Sequence, residues 1–301
     1  MRILVLGNAT ADFGYPVEHL PRPGETILAR GQSIEAGGKG LNQAVVASRA
    51  GGSVTFATAI GDDAEGALIR AYLIEQGLDS PAQRVAHGMT DRSIICTERS
   101  GQNMIVSTDR QAKSITLDDV HGLLHSLRRG DILLMQGNLS RETTRDSLAA
   151  AAAMGARAIL NPAPISWDFS DLVKWAHILV VNEVEAETLS GVPAPEAAAE
   201  MLQQRGAATV IVTLGAAGAL LRTETACLVP APDTHAVDTA GAGDVFVGVL
   251  AAAIADGETV QEACGWAVRA ASLSVTRPGT SGAFPTAREL QHLRRSRVTS
   301  A

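Results

Sequence analysis

Aromatic side chains make up only 3% of the 301 residues, so the core has to be assembled from Ala, Val, Leu and Ile. Small aliphatic side chains of this kind suit parallel sheets covered by helices. Cysteine is nearly absent. Cys96, Cys227 and Cys264 lie far apart and no CxxC pair occurs, which excludes a disulfide framework and points to a reduced chain with packing cysteines. No apolar run approaches the roughly 18 residues of a membrane span. The N-terminal run Ile3–Leu6 follows one basic residue and is too short for a signal-peptide core, so it is expected to be a buried strand in a cytoplasmic protein. Positive charge is also short. With 25 Lys and Arg against 32 Asp and Glu, the net charge is −7, which disfavours nucleic acid or an anionic membrane as partner. The serine-hydrolase pattern GxSxG does not occur.

What is present is a globular composition, 46% hydrophobic and 19% charged, on a chain long enough for one large domain. Strand and helix patterns alternate. Strands are expected at Ile3–Leu6, Ser53–Ile60, Ile132–Gln136, Ala156–Leu160, Ile178–Val181, Val210–Thr213 and Ala219–Leu221. Helices are expected at Leu41–Ala50, Ala64–Gln76, Arg141–Met154, Val245–Ala255 and Val260–Val275. Such alternation predicts a mainly parallel sheet with helices on both faces. Two stretches break the rhythm, about 13–36 and 85–108. The alternating segments Thr26–Ile34, Ser93–Thr97 and Asn103–Ser107, with a turn at Ser100-Gly101, predict short antiparallel strands forming a small flap. No linker divides two cores, so residues 1–301 are expected to be one domain.

Four loops carry candidate chemistry. The first, Gly37-Gly38-Lys39-Gly40-Leu41-Asn42-Gln43-Ala44, opens a helix but lacks the Gly-Lys-Ser/Thr of a Walker A loop. Its glycines would let the backbone approach a ligand, and a helix N-terminus adds free N–H groups beside Lys39 and Asn42. A plain helix start with a surface lysine has the same pattern. The second, Asp238-Thr239-Ala240-Gly241-Ala242-Gly243-Asp244, precedes an apolar helix; Phe246 rules out a dinucleotide GxGxxG. The glycines would gather N–H groups into an anion hole for a phosphoryl group, and Asp244 beside it could accept a hydroxyl proton or merely cap the helix. The third, Asn182-Glu183-Val184-Glu185, is either a capping box or support for Mg²⁺ and phosphate, with Glu185 holding water on the metal. The fourth, Thr213-Leu214-Gly215-Ala216-Ala217-Gly218, is a tight turn or a phosphate cradle.

Together, and in this order, these loops resemble the ribokinase-like (PfkB-type) carbohydrate kinases. Asp12, Pro23-Gly24-Glu25-Thr26, Gly61-Asp62-Asp63, Asn161-Pro162-Ala163-Pro164 and Val275-Thr276-Arg277-x-Gly279 extend the resemblance over nearly the whole chain. The resemblance implies a three-layer α/β/α fold with a small β-sheet lid. It implies a kinase that uses ATP and Mg²⁺ to phosphorylate a sugar hydroxymethyl, ribose or a related pentose first. By that analogy Asp244 is the general base and Gly241, Ala242 and Gly243 form the anion hole. Thr10, Asp12, Gly38, Lys39, Asn42 and Asn138, with Asp244 itself, would hold the sugar. Asn182, Glu185 and Thr213, Leu214, Gly215, Ala216, Ala217 and Gly218, with Gly243, would serve the nucleotide. A monovalent cation, K⁺, would sit among Asp238, Ala240, Ser274, Arg277, Gly279 and Ala283, mostly on backbone oxygens. The lid would pair two copies into a homodimer.

Two positions depart from ribokinase proper: Thr10 replaces an Asn and Asn138 a Glu, both sugar contacts in that family, so sugar choice stays open among ribose, deoxyribose, other pentoses and fructose-type sugars. A nucleoside kinase is the alternative within the enzymes, with Phe13 and Tyr15 in the flap as a base slot. A sugar- or nucleotide-binding regulator is the alternative outside them. His121 and His125 lack a third ligand, and Arg294, Arg295 and Arg297 form a short basic tail. Trp167, Trp175 and Trp266 are expected in packing roles, Trp266 close to the nucleotide.

Overall fold

The computed structural model describes residues 1–80, 82–99 and 102–295. The expected turn at Ser100-Gly101 and the tail residue Arg297 lie outside the described residues. Among the described residues there are thirteen strands: β1 (Arg2–Leu6), β2 (Thr10–Pro16), β3 (Ser33–Gly37), β4 (Ser53–Gly61), β5 (Gln83–Ala86), β6 (Arg92–Thr97), β7 (Asn103–Ser107), β8 (Ile132–Gln136), β9 (Arg157–Asn161), β10 (Ile178–Asn182), β11 (Thr209–Thr213), β12 (Ala219–Arg222) and β13 (Ala226–Val229). Among the same residues ten α-helices accompany them: α1 (Lys39–Arg49), α2 (Ala64–Glu75), α3 (Arg110–Lys113), α4 (Leu117–His125), α5 (Arg141–Ala153), α6 (Glu183–Ser190), α7 (Pro195–Gln204), α8 (Ala242–Ala255), α9 (Val260–Ser274) and α10 (Ala287–Arg295).

Nine strands form the main sheet in the order β13-β12-β11-β10-β9-β8-β1-β4-β5. The run from β11 to β5 is parallel, and β12 and β13 close one edge antiparallel. The near-continuous apolar strands have the pattern of a sheet covered on both faces. Along β1, Ile3 and Val5 enter the core under α1, α2, α8 and α9, whereas Leu4 and Leu6 enter the core under α4, α5, α6 and α7. The result is the three-layer α/β/α arrangement. At β1 the strand order reverses, because β4 follows on one side and β8 on the other. Ligands of open α/β sheets bind outside the carboxyl ends of the strands at such a switch point.

The flap is a separate four-stranded sheet ordered β3-β2-β6-β7. Its outer pairs are antiparallel, as expected, but β2 and β6 pair parallel. It starts earlier than the alternation suggested, at Thr10. Residues 26–32 form no strand; the flap strand there is confined to Ser33–Gly37. Residues 85 and 86 end β5, on the edge of the main sheet.

Candidate active site

Polar residues end a succession of neighbouring strands. Gln136 on β8 is the register partner of Asn161 on β9, and Asn182 on β10 is the partner of Thr213 on β11. Beside them the loop after β1 carries Asn8, whose Oδ1 accepts the Gly40 N–H at 3.1 Å. Gly40 has to be glycine, since a Cβ there would lie 2.7 Å from the Asn8 nitrogen. Gly38 caps α1 at φ 97° and Gly241 caps α8 at φ 75°, both in the left-handed region that favours glycine.

The two helices pack closely, and their N-termini converge on Asp244. Its carboxylate is 5% exposed. Asn42 Nδ2 donates to Oδ2 at 3.0 Å, Gln43 Nε2 donates to Oδ1 at 3.0 Å, and Lys39 Nζ lies 3.8 Å from Oδ1. The expected base, two of the expected sugar ligands and the start of α8 are therefore together. In the expected anion hole, the Ala242 N–H turns back to the Thr239 carbonyl at 3.3 Å. First-turn N–H groups at a helix start otherwise have no intrahelical partner.

The flap supplies the opposing wall. Strand register lines up Glu35, Asp12, Ser93 and Ser107 as one row across β3, β2, β6 and β7. Thr10 Oγ1 donates to Asp12 Oδ1 at 2.6 Å, and Gly37 packs so tightly that a Cβ there would meet Asp12 Oδ2 at 2.0 Å. Burial pushes the Asp12 carboxyl up to about 6; hydrogen bonds from Thr10 and Ser93 oppose this, while the charges of Asp244 and Glu35 add to it. A cleft of about 240 Å³ opens between this wall and the loops holding Asp238, Ala240, Gly279 and Thr280. Ser281 Oγ bonds Glu35 Oε2 at 2.6 Å across one end of it. Asn138, just beyond β8, keeps its Oδ1 buried without a partner.

The remaining expected residues fall into two groups. Asn182 and Glu185 form a reciprocal capping box, Glu185 N–H to Asn182 Oδ1 at 2.8 Å and Asn182 N–H to Glu185 Oε2 at 2.9 Å. Burial raises the Glu185 carboxyl; the Asn182 bond and the Lys39 charge oppose the rise and Asp244 adds to it, so this side chain shares the field of the same cleft. Next to it the 213–218 segment folds on itself, the Leu214 N–H reaching the Gly218 carbonyl at 2.8 Å. In the second group, the Asp238 carboxylate accepts from the Ala240 N–H at 2.9 Å and the Gly279 N–H at 3.0 Å. The Arg277 N–H reaches the Ser274 carbonyl at 3.2 Å, and Ala283 N–H reaches Thr280 at 3.1 Å. The Arg277 guanidinium is turned away to Glu289. Both Asp238 oxygens and the Ser274 carbonyl are thus engaged within the chain; oxygen donors of this kind are the type a hard cation takes.

Residues 1–287 match the family described as pfkB family carbohydrate kinase. The chain belongs to this family. It is an ATP-dependent sugar kinase. It is similar to the ribokinase of Haemophilus influenzae, 32% identical over 296 residues that cover 95% of this chain and 96% of that protein. It is similar to the deoxyribokinase of Salmonella typhi, 31% identical over 295 residues, 95% of this chain and 96% of that one. The solved structure of Arabidopsis thaliana ribokinase complexed with ribose and ATP superposes with a TM-score of 0.85 at 27% identity, covering 98% of each chain.

Several residues of the kinase site had no part in the sequence expectations. Gln43, Gln136 and Asn161 join Asp244 in one buried network, and Glu35 and Ser93 flank Asp12 on the flap. Gln43 and Asn161 stood inside motifs already noted, but an amide in an apolar segment carries no local signal of its partners. Trp266 does not line the cleft of about 240 Å³; it is buried, donates Nε1–H to the Leu290 carbonyl at 3.1 Å, and lies under the Arg294 guanidinium.

Proposed function

We propose that this kinase transfers the γ-phosphoryl group of ATP to the hydroxymethyl of a pentose, with ribose as the first candidate. The observation that carries the reading is Asp244, buried at the meeting point of two helix N-termini and held by N–H donors on both oxygens. Asp12, Asn42, Lys39, Thr10 and Asn138, with the Gly38 backbone, would hold the sugar. Asp244 would take the hydroxyl proton as the oxygen attacks the γ-phosphorus and the bond to ADP breaks. The amides of Gly241 and Gly243, and that of Ala242 once it leaves the Thr239 carbonyl, would face the charge that develops on the phosphoryl oxygens. Asn182, Glu185 and the 213–218 turn would serve the nucleotide. Mg²⁺, when bound, neutralises phosphate charge, and the Glu185 oxygen outside the capping bond is the donor suited to hold it through water. K⁺ would be held at Asp238, Ala240, Ser274, Arg277, Gly279 and Ala283.

Asp244→Asn tests the assignment. Turnover should fall by about 10²–10⁴-fold while the Kd for sugar changes little. Wild-type turnover in the variant would refute the base.

A second reading, 2-deoxyribose, is favoured by Thr10: its one hydroxyl proton is committed to Asp12, leaving no donor there for a sugar hydroxyl. An ADP-release assay with Mg-ATP and K⁺ on ribose and 2-deoxyribose separates the two readings. A higher kcat/KM on 2-deoxyribose would give Thr10 that role, and a preference for ribose would remove it.

We also propose a cytoplasmic homodimer in which each chain, 1–301, is a single domain. The three free cysteines accord with a reducing compartment, and among the described residues no helix is long and apolar enough to cross a membrane. The flap's outer row Ile34, Phe13, Ile94 and Val106 is apolar and largely exposed, which supports pairing through it. Sedimentation of wild type and Ile94→Asp tests the dimer, which the variant should split.

A further inference from the structure

Behind Asp244 runs a line of buried side-chain amides that the transfer reaction itself does not touch. Asn161 Nδ2 donates to the Val180 carbonyl at 3.0 Å. A backbone carbonyl can only accept, so this bond orients the Asn161 amide and turns its Oδ1 toward Gln43. Gln43 Nε2 donates to that Oδ1 at 3.0 Å and, with its second hydrogen, to Asp244 Oδ1 at 3.0 Å. The Gln43 Oε1 is held in turn by Gln136 Nε2 at 2.8 Å. Gln43 and Gln136 are fully buried and Asn161 nearly so. The fit is tight, because a Cβ on Gly7 would lie 2.0 Å from Gln136 Oε1.

We infer that Gln43 is the positioning residue of the base, and that the Gln136–Gln43–Asn161 relay fixes both the orientation of Asp244 and the direction in which protons point at it. The inference rests on the reading of Asp244 as the base. With the relay in place, Asp244 Oδ1 faces an N–H that cannot accept a proton, and Asn42 presents a second N–H to Oδ2. Both oxygens are thus held by fixed donors, and their remaining lone pairs are left for the sugar hydroxyl that the base reading requires. Charged groups approach Asp244 from three other places: Lys39 on α1, Glu185 on α6 and Asp12 on β2. Lys39 is a flexible, half-exposed side chain at 3.8 Å, so the fixed geometry comes from the amides.

The test is the split between kcat and KM for Gln43→Met, which keeps the volume and removes the donor. The kcat should fall about tenfold or more, with the KM for ATP and the Kd for sugar within about twofold of wild type. A merely structural role would lower the melting temperature and leave the kcat of the folded protein unchanged. Gln136→Met, one bond further out, should lower kcat in the same way by less. Gln43→Glu is the arm to read if Gln43→Met does not fold: it sets an acceptor in place of the donor against Asp244 and should also lower kcat with KM kept. A folded Gln43 variant with the wild-type kcat overturns the inference. Asp244→Asn, measured alongside, separates the two levels. If it keeps turnover, the base reading fails; if it loses turnover while Gln43→Met turns over as wild type, only the relay fails.

Discussion

Replacing Asp12 by Asn should make the empty protein more stable and the enzyme worse. Burial against β3 and β6 lifts the Asp12 carboxyl from its ordinary 3.8 to about 6. An acid whose folded pKa exceeds its unfolded one binds more protons in the native state between those two values. Stability therefore falls as pH rises from about 4 to about 6 and stays lowered above that. At neutral pH the ionised side chain costs the ligand-free fold about 3 kcal/mol. Asn keeps an oxygen to accept from Thr10 but carries no charge to desolvate, so urea melts near neutrality should show a gain of up to about 3 kcal/mol. The gain should vanish near pH 4, where wild-type Asp12 is already protonated. Sugar binding should move the other way. On the proposed reading the carboxylate would accept the sugar hydroxyls, so wild-type sugar affinity should drop about tenfold per pH unit below about 6, and the variant should bind weakly at every pH. The reasoning is refuted if Asp12→Asn is less stable than wild type at neutral pH, or if sugar KM is flat from about pH 5 to 7.

Glu35→Gln removes a charge that raises Asp12, so the midpoint of the sugar-binding pH profile should move down; an unmoved midpoint would disconnect the two residues. Gly248→Ala would place a Cβ 2.8 Å from the Gln43 carbonyl oxygen and from Val46, forcing α8 off α1 at a cost of about 1–3 kcal/mol in a urea melt. Asp238→Ala would release the Ala240 and Gly279 N–H groups from their shared acceptor; turnover should fall about tenfold or more with sugar Kd unchanged, and a wild-type rate would dismiss the loop as scaffolding.

The alternating strands and helices were legible because their cause is local: apolar β1, β8, β10 and β11 are buried on both faces, and each glycine loop announces a turn that other residues cannot make. Asp244, Asn42 and Lys39 were legible through those loops. The amides behind them were not, since Gln136 and Asn161 end strands of ordinary apolar composition and meet Gln43 only through the tertiary fold. The flap misled in the opposite way. Thr26–Ile34 alternates like a strand, yet no ladder forms over 26–32, whereas Thr10–Pro16 does alternate, Thr10 and Asp12 against Ala11 and Phe13, but is too short and too close to β1 to stand out as a flap strand of its own.

Strand β2 serves two surfaces with one seven-residue segment. Asp12 and Gly14 line the cleft, and Phe13 pairs with Ile94 in the outer row. Because the side-chain period of a strand is two, gaining or losing a single residue here would turn the carboxylate outward and Phe13 inward together. Neither surface can then drift in length without the other. In the connection from 17 to 32 no strand ladder sets a register, and insertions or deletions that arise among descendants of this chain should collect there and spare β2.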